Sequence, residues 1–294
     1  MDQAAPAIAV ATDERQVRRK SLLRRLLRKP AAFAGLLVIG IFLVVAIVAP
    51  LIAPYPPTKL IYTAIQQPPT GQHLFGTDDL GRDVLSRVIY GARISMEVGV
   101  IAVAIAMTVG SLLGLFAGFL GGWADTIIMR GMDIMLAFPG ILLAIAIVAI
   151  LGPSLANTMI AVGISAIPVY ARTVRGAALT VLGNDYIQAA RALGASPLRV
   201  AFRYVLPNVT APITVLATVG IATAILTAAG LSYLGLGAQP PTPEWGAMLS
   251  EARAYLRDAW WMATFPGLAI MLVVMAFNLL GDGLRDLWDP RLRR

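Results

Sequence analysis

Ile134-Met-Leu-Ala-Phe-Pro-Gly-Ile-Leu-Leu-Ala-Ile-Ala-Ile-Val-Ala-Ile-Leu-Gly-Pro-Ser-Leu-Ala-Asn-Thr-Met-Ile-Ala-Val-Gly-Ile-Ser-Ala-Ile-Pro-Val-Tyr-Ala171 contains no Asp, Glu, Lys or Arg. A helix crosses the ~30 Å hydrocarbon core of a bilayer with roughly 20 apolar residues, so this stretch can cross twice. Gly152-Pro153-Ser154 with Asn157 breaks it near its middle. A start near Thr126 then gives two full spans joined by a tight turn. Four more uncharged stretches cover 30–58, 98–124, 204–243 and 259–281. The first, second and last hold one span each. In 204–243 the first half, near 209–230, is continuous and apolar, whereas Gly235, Gly237, Pro240, Pro241 and Pro243 make the second half a poor helix. The expectation is an all-α, polytopic membrane protein with six transmembrane helices.

Composition agrees, with 58% hydrophobic and 14% charged residues and a mean hydropathy of +0.75. The charge of +8 would suggest nucleic acid in a soluble protein, but the placement of the basic residues is topological. With six spans and both termini cytoplasmic, eighteen Lys and Arg lie inside and six outside, as the bias of cytoplasmic loops requires. A seventh span would move the four tail arginines outside. The chain then divides into a basic cytoplasmic segment 1–30, a first transmembrane helix 31–53 and an external loop 54–92 with an amphipathic helix. A five-helix core 93–283 with a long cytoplasmic loop 177–208 follows, then a cytoplasmic tail 284–294. The basic run from Arg15 to Lys29, next to an apolar helix, reads as a topogenic segment that meets anionic lipid. The run Ala31–Ala53 ends in Pro-Tyr-Pro-Pro without a small-residue cleavage site, so it reads as a retained anchor.

Several chemistries are disfavoured. There is no cysteine, hence no disulfide or thiolate, and His73 is the only histidine, too little for a metal site of the usual kind. No catalytic residue and no metal ligand is assigned. Ser165 would need a base to act as a nucleophile and reads as helix packing. Proton-coupled carriers place ionisable groups near the bilayer midplane, and none falls there. Asp133 is closest, read as a structural partner of Arg130 three residues earlier. Met129, Met132 and Met135 read as packing. None of the three lysines follows a glycine, so the chain has no P-loop for ATP.

An energy source must act through a handle, and the loop 177–208 is built like one. Asp185–Leu193 reads as a short helix, Gly194 as its stop, Ser196-Pro197 as a cap and first turn, and Pro207 as the next stop. The result is a stiff elbow, apolar on one side through Leu198, Val200, Ala201 and Phe202 and basic through Arg191, Arg199 and Arg203. Its residues Gln188-Ala189-Ala190-Arg191, then Gly194, Leu206 and Pro207, resemble the EAA loop of ABC importer permeases, with Gln188 where that family has Glu.

A second resemblance lies in His73-Leu-Phe-Gly76-Thr77-Asp78-Asp-Leu-Gly81-Arg82-Asp83-Val-Leu-Ser-Arg87, similar to the external signature of dipeptide, oligopeptide and nickel permeases. Gly76-Thr77-Asp78 is a turn and cap. Val84, Leu85, Val88 and Ile89 give the following helix an apolar face opposite Arg82, Asp83 and Arg87, expected on the outer membrane surface. The stretches 237–250 and 281–291 are also similar to this family. A leading helix plus five core helices matches its second permease subunit, and Gln239-Pro-Pro-Thr-Pro-Glu-Trp245 leans to the dipeptide branch. Ala228 departs from the pattern, since relatives often carry an acid there. The resemblance implies the type I ABC importer permease fold in a bacterial cytoplasmic membrane. It implies import of dipeptides or short oligopeptides, with nickel complexes or another small solute as the alternative. The implied partners are a homologous permease subunit, cytoplasmic ABC ATPase subunits that hold ATP and Mg, an external solute-binding protein and the lipid bilayer. No nucleic acid is expected, and this chain itself binds no cofactor.

Overall fold

The computed structural model describes residues 26–27 and 29–288; most of the basic run from Arg15 to Lys29, with its expected contact to lipid, and the end of the tail lie outside the described residues. The elements are α1 (Pro30–Ile52), α2 (Val84–Leu120), α3 (Gly122–Leu136), α4 (Gly140–Leu151), α5 (Leu155–Leu182), α6 (Asp185–Ala192), α7 (Leu206–Tyr233), α8 (Trp245–Ala252) and α9 (Trp261–Trp288). Among the described residues there is no β-strand, only an isolated bridge between Thr77 and Asp83. Among the described residues five segments are long and apolar enough to cross a bilayer, and α3 with α4 makes a sixth when taken as one bent span.

That bent span is the main departure from the sequence reading. Instead of one straight helix from Thr126, the two limbs meet at 92°. The cause is Phe138-Pro139-Gly140. Pro139 is extended at φ −54° and ψ 130°, and a proline also biases the residue before it away from the helical region. At ~1.5 Å per residue, a limb of 15 or 12 residues falls short of the bilayer core by itself. The turn at Gly152-Pro153-Ser154 is where expected, with the Ser154 hydroxyl accepting the Asn157 N–H and opening α5.

The expected amphipathic helix of the loop is a second correction. It is the first turns of α2, which runs unbroken for 37 residues from its cap at Asp83. Its charged side is not turned to solvent: Arg82, Asp83 and Arg87 are buried.

Packing relies on small residues. A Cβ on Gly114 of α2 would lie 2.3 Å from the carbonyl oxygen of Ala171 of α5, so the two backbones touch. Close approach of this kind holds helices together where lipid removes the hydrophobic drive for association. α1 packs on α9, while Ile47 and Leu51 on its far face are 76% and 85% exposed, as suits a lipid-facing flank. One apolar cluster joins α1, α2, α7, α8 and α9, another joins α2, α4, α5 and α7, and a third fills the end of the bundle where α5, α6 and α7 meet. Met132 is buried, with Met129 and Met135 packed beside it against Ile167 and Ala171.

Candidate functional site

Three features stand apart from ordinary helix packing: an elbow at one end of the bundle, a knot of buried charges, and a cavity between helices.

The elbow begins where α5 ends. Gly183 and Asn184 turn the chain, and the Asn184 amide donates to the carbonyls of Thr180 and Val181, closing the helix end. α6 follows and stops at Gly194, whose φ of +80° only glycine adopts at little cost. Ala195 N–H returns to the Ala190 carbonyl at 3.0 Å, completing a Schellman-type stop. The Ser196 hydroxyl caps the next turn, Pro197–Arg199.

Pro207 is not the stop that the sequence suggests. It sits in the first turn of α7, and the chain from Pro197 to Tyr233 is one helical rod. Pro207 lacks an N–H and its ring clashes with a carbonyl four residues back, and the segment Val200–Val205 is wound as a π-helix just before it. Leu206 N–H accordingly reaches the Ala201 carbonyl, five residues back.

The elbow's apolar residues also divide differently from the expectation. Val200 and Val205 are fully buried with Ile187 against Val174, Ala178 and Val181 of α5. Leu198 and Phe202 face away, 70% and 58% exposed, and Leu193 is 89% exposed. Gln188, Ala189, Arg191 and Gly194 are exposed, Ala190 is buried, Leu206 half-buried and Pro207 exposed. The elbow is therefore anchored by one set of apolar residues and presents another.

The knot lies at the start of α2. Asp83 caps the helix, its Oδ2 accepting from Ser86 N–H at 2.8 Å and the Ser86 hydroxyl at 2.7 Å, while its Oδ1 meets His73 Nδ1 at 2.9 Å. His73 is thus a buried loop residue tied to the cap. Asp78 accepts from the Arg82 backbone at 2.8 Å and from Arg82 Nε at 2.6 Å. Both Arg82 and Arg87 donate to Glu251 of α8, at 2.9 and 2.8 Å. Thr77 is fully buried, its hydroxyl donating to the Ala64 carbonyl and its own carbonyl accepting from Trp261 Nε1. Gly81, at φ +75°, has the Ile61 carbonyl oxygen 2.1 Å from where a Cβ would stand.

Burial pushes the Glu251 carboxyl above its ordinary value, against the pull of Arg87 and Arg82 and with help from Asp78 and Asp79. Asp79 is likewise raised, by burial and then by Asp78. Oxygens of Asp78, Asp79 and Glu251 lie within 4.8 Å of one another, but two guanidinium groups already occupy this cluster, so it makes a poor cation site. Glu244 caps α8 by accepting from the N–H groups of Gly246 and Ala247 at 2.9 Å, and burial raises its carboxyl too.

The cavity, about 330 Å³, lies between α2, α4, α5 and α7. Gly140 and Ile141, at the bend of the broken span, form part of its wall, and no Asp, Glu, Lys, Arg or His lines it. Its side-chain polar atoms are hydroxyls, of which Ser165 donates to Val162 O, Thr223 to Val219 O and Tyr170 to Leu216 O. Gly220 makes room for the Tyr170 hydroxyl, which would lie 2.3 Å from a Cβ there. Ser165 and His73 each have their own partners in separate parts of the molecule, so they form no nucleophile–base pair. Ala228, where relatives often carry an acid, is buried in the cluster beside the cavity.

Asp133 is paired, but with Arg172 of α5 rather than Arg130. Asp125 is held in the same way by Arg175 of α5, both carboxylate oxygens engaged. Sequence spacing pointed to a neighbour on the same helix, whereas α3 packs on α5 and meets its arginines.

Residues 110–294 match the family of binding-protein-dependent transport system inner membrane components, and residues 19–69 match the N-terminal TM domain of oligopeptide transport permease C. The dipeptide transport system permease protein DppC of Alkalihalophilus pseudofirmus is 48% identical over 93% of this chain and 90% of its own length. The di/tripeptide permease DppC of Pseudomonas aeruginosa is 51% identical over 89% and 88%. The glutathione transport system permease protein GsiD of Escherichia coli is 52% identical over 92% and 89%. Among solved structures, an inward-facing MetNI methionine ABC transporter has a chain of the same fold, with a TM-score of 0.57 and 20% identity over 69% of this chain and 97% of that one.

Proposed function

This chain belongs to the family of binding-protein-dependent transport system inner membrane components, and on that premise we propose that it is the permease half of an ATP-driven importer of short peptides. The observation that carries the proposal is the elbow: a rigid turn fixed to the bundle by buried Ile187, Val200 and Val205 that leaves Leu193, Leu198 and Phe202 uncovered. Uncovered apolar side chains on a rigid support suit a protein partner. A cytoplasmic ATPase seated there, holding ATP and Mg, supplies the energy that this chain has no means to capture. A second, homologous permease completes the pathway, and an external binding protein delivers the solute. The elbow and both termini then face the cytoplasm and the knot faces outward, in a bacterial inner membrane.

The substrate class follows from what the named relatives share. Permeases named for dipeptides and for glutathione, itself a tripeptide, are about equally similar to this chain, at 48–52% identity. A short peptide is common to both. The cavity agrees, since it offers neutral walls along which a small peptide can pass without being held by a charge. Uptake by proteoliposomes of the assembled complex, with its binding protein, tests this. Dipeptide uptake that requires ATP supports the reading; glutathione uptake without dipeptide uptake moves it to the glutathione branch; uptake of neither overturns it.

A further inference from the structure

α3 is weakly embedded. Of its residues only Met132 is buried, while Trp123, Ile127 and Ile134 are 81%, 49% and 61% exposed. Beside the apolar patch of Met129, Met132 and Met135 on Ile167 and Ala171, what ties it down is charge. α5 carries two charged residues, Arg172 and Arg175, and both are spent on α3, on Asp133 and Asp125. The Arg175 contact is bidentate, with Nη2 to Oδ2 at 2.6 Å, the geometry that fixes orientation as well as distance.

The same α5 leads within two residues into the elbow, and Ile187 of α6 packs against its Val174, Ala178 and Val181. At its other end α3 stops at the 92° bend, and Gly140 beyond the bend lines the cavity. A continuous chain of contacts thus runs from elbow to α5, through two ion pairs to α3, and through the bend to the cavity wall.

We propose that Asp125, Asp133, Arg172 and Arg175 are positioning residues that lock α3 to α5, so that movement of the elbow is expressed at the Phe138-Pro139-Gly140 bend and reshapes the cavity. The proposal rests on the reading of this chain as an importer permease. Without the pairs, α3 touches α5 only through the apolar patch of Met129, Met132 and Met135 on Ile167 and Ala171, which can slide, and elbow motion reaches the cavity through the direct packing of α5 on α4 but not through the bend. With them, α3, α5 and α6 form one lever, and the bend, where Pro139 interrupts the helix, takes up the angle.

The chain has no cysteine, so in a complex whose partner subunits have their cysteines replaced, introduced cysteines can be spin-labelled without background. Exposed Trp123 on α3, Leu179 on α5 and Ile150 on α4 are suitable sites. In the assembled, ATPase-bearing complex in nanodiscs, the lever requires the 123–179 distance to stay fixed between the nucleotide-free and ATP-bound states while the 123–150 distance changes. A 123–179 distance that shifts as much as 123–150 overturns the proposal whether or not peptide is the substrate. In transport, Asp125→Arg is expected to lower solute imported per ATP hydrolysed about fivefold or more, on the scale of ordinary coupling energies. The exchanged pair Asp125→Arg with Arg175→Asp restores it. An exchange that restores assembly but not the import-to-hydrolysis ratio contradicts the positioning role, and an Asp125→Arg variant with an unchanged ratio does the same. If the labels behave as expected but no peptide is imported, the lever stands and the substrate reading falls.

Discussion

The knot around Asp78 and the elbow around Gly194 are both short, polar, glycine-marked loops, yet they use their side chains in opposite ways. In the knot Thr77, Asp78, Arg82, Asp83 and Arg87 are buried, and their bonds run to one another, to neighbouring loop residues and the start of α2, or to α8 and α9. In the elbow Gln188, Arg191, Leu193, Leu198 and Phe202 are exposed. The knot joins residues more than 160 positions apart and leaves little to offer a partner. The elbow is held from behind and keeps its outward face free. A recognisable motif can therefore be a structural lock or a contact surface, and burial tells them apart.

The largest effect that tests this contrast falls on the knot. Gly81→Leu places a side chain 2.1 Å from the Ile61 carbonyl oxygen at a φ of +75°, so loss of folded protein in detergent is expected, by size-exclusion and thermal melting. Arg87→Met removes one of the two guanidinium groups that meet half-buried Glu251 and leaves Arg82 as its partner, and a destabilisation of about 2 kcal/mol is expected from the lost charged hydrogen bond. A drop of under ~1 kcal/mol would show that the knot is not a lock. In the elbow, Gly194→Val strains the backbone without a steric clash, since nothing lies within 4 Å of its Cβ position. Stability is expected to fall by about 1 kcal/mol, with a larger loss in coupling. Phe202→Ala should change the melting of the isolated chain by less than ~0.5 kcal/mol while weakening ATPase binding about tenfold by pull-down titration.

The smallest effect is on pH. Raised carboxyls at Glu244 and Glu251 contribute stability that is full below the ordinary glutamate value of 4.5 and is lost as pH rises through their higher folded-state values. Lowering pH from neutral towards 5 should thus offset part of the acid destabilisation of the chain, and Glu244→Gln should remove that share in melting scans.

The long apolar stretches made the helical membrane architecture legible, because the cost of exposing backbone to lipid leaves little alternative to helices. The elbow's turns were legible too, because Gly194 and Ser196-Pro197 act locally. What escaped was long-range. Pro139-Gly140 was visible, but the uncharged run around it hid a bend whose direction depends on α5. Arg130 seemed the natural partner of Asp133 by spacing alone, and only the packing of α3 on α5 brings Arg172 within reach. Arg82 and Arg87 looked like a solvent-facing stripe because their partner, Glu251, is distant in sequence. Pro207 looked like a stop because a π-turn leaves no trace in composition.

The most direct measurement is peptide-stimulated ATP hydrolysis by the reconstituted complex with Gly194 intact or replaced by a bulky residue. The account predicts stimulation by dipeptide that is lost on the substitution while the complex remains assembled. Undiminished stimulation in an assembled complex would contradict the coupling role of the elbow.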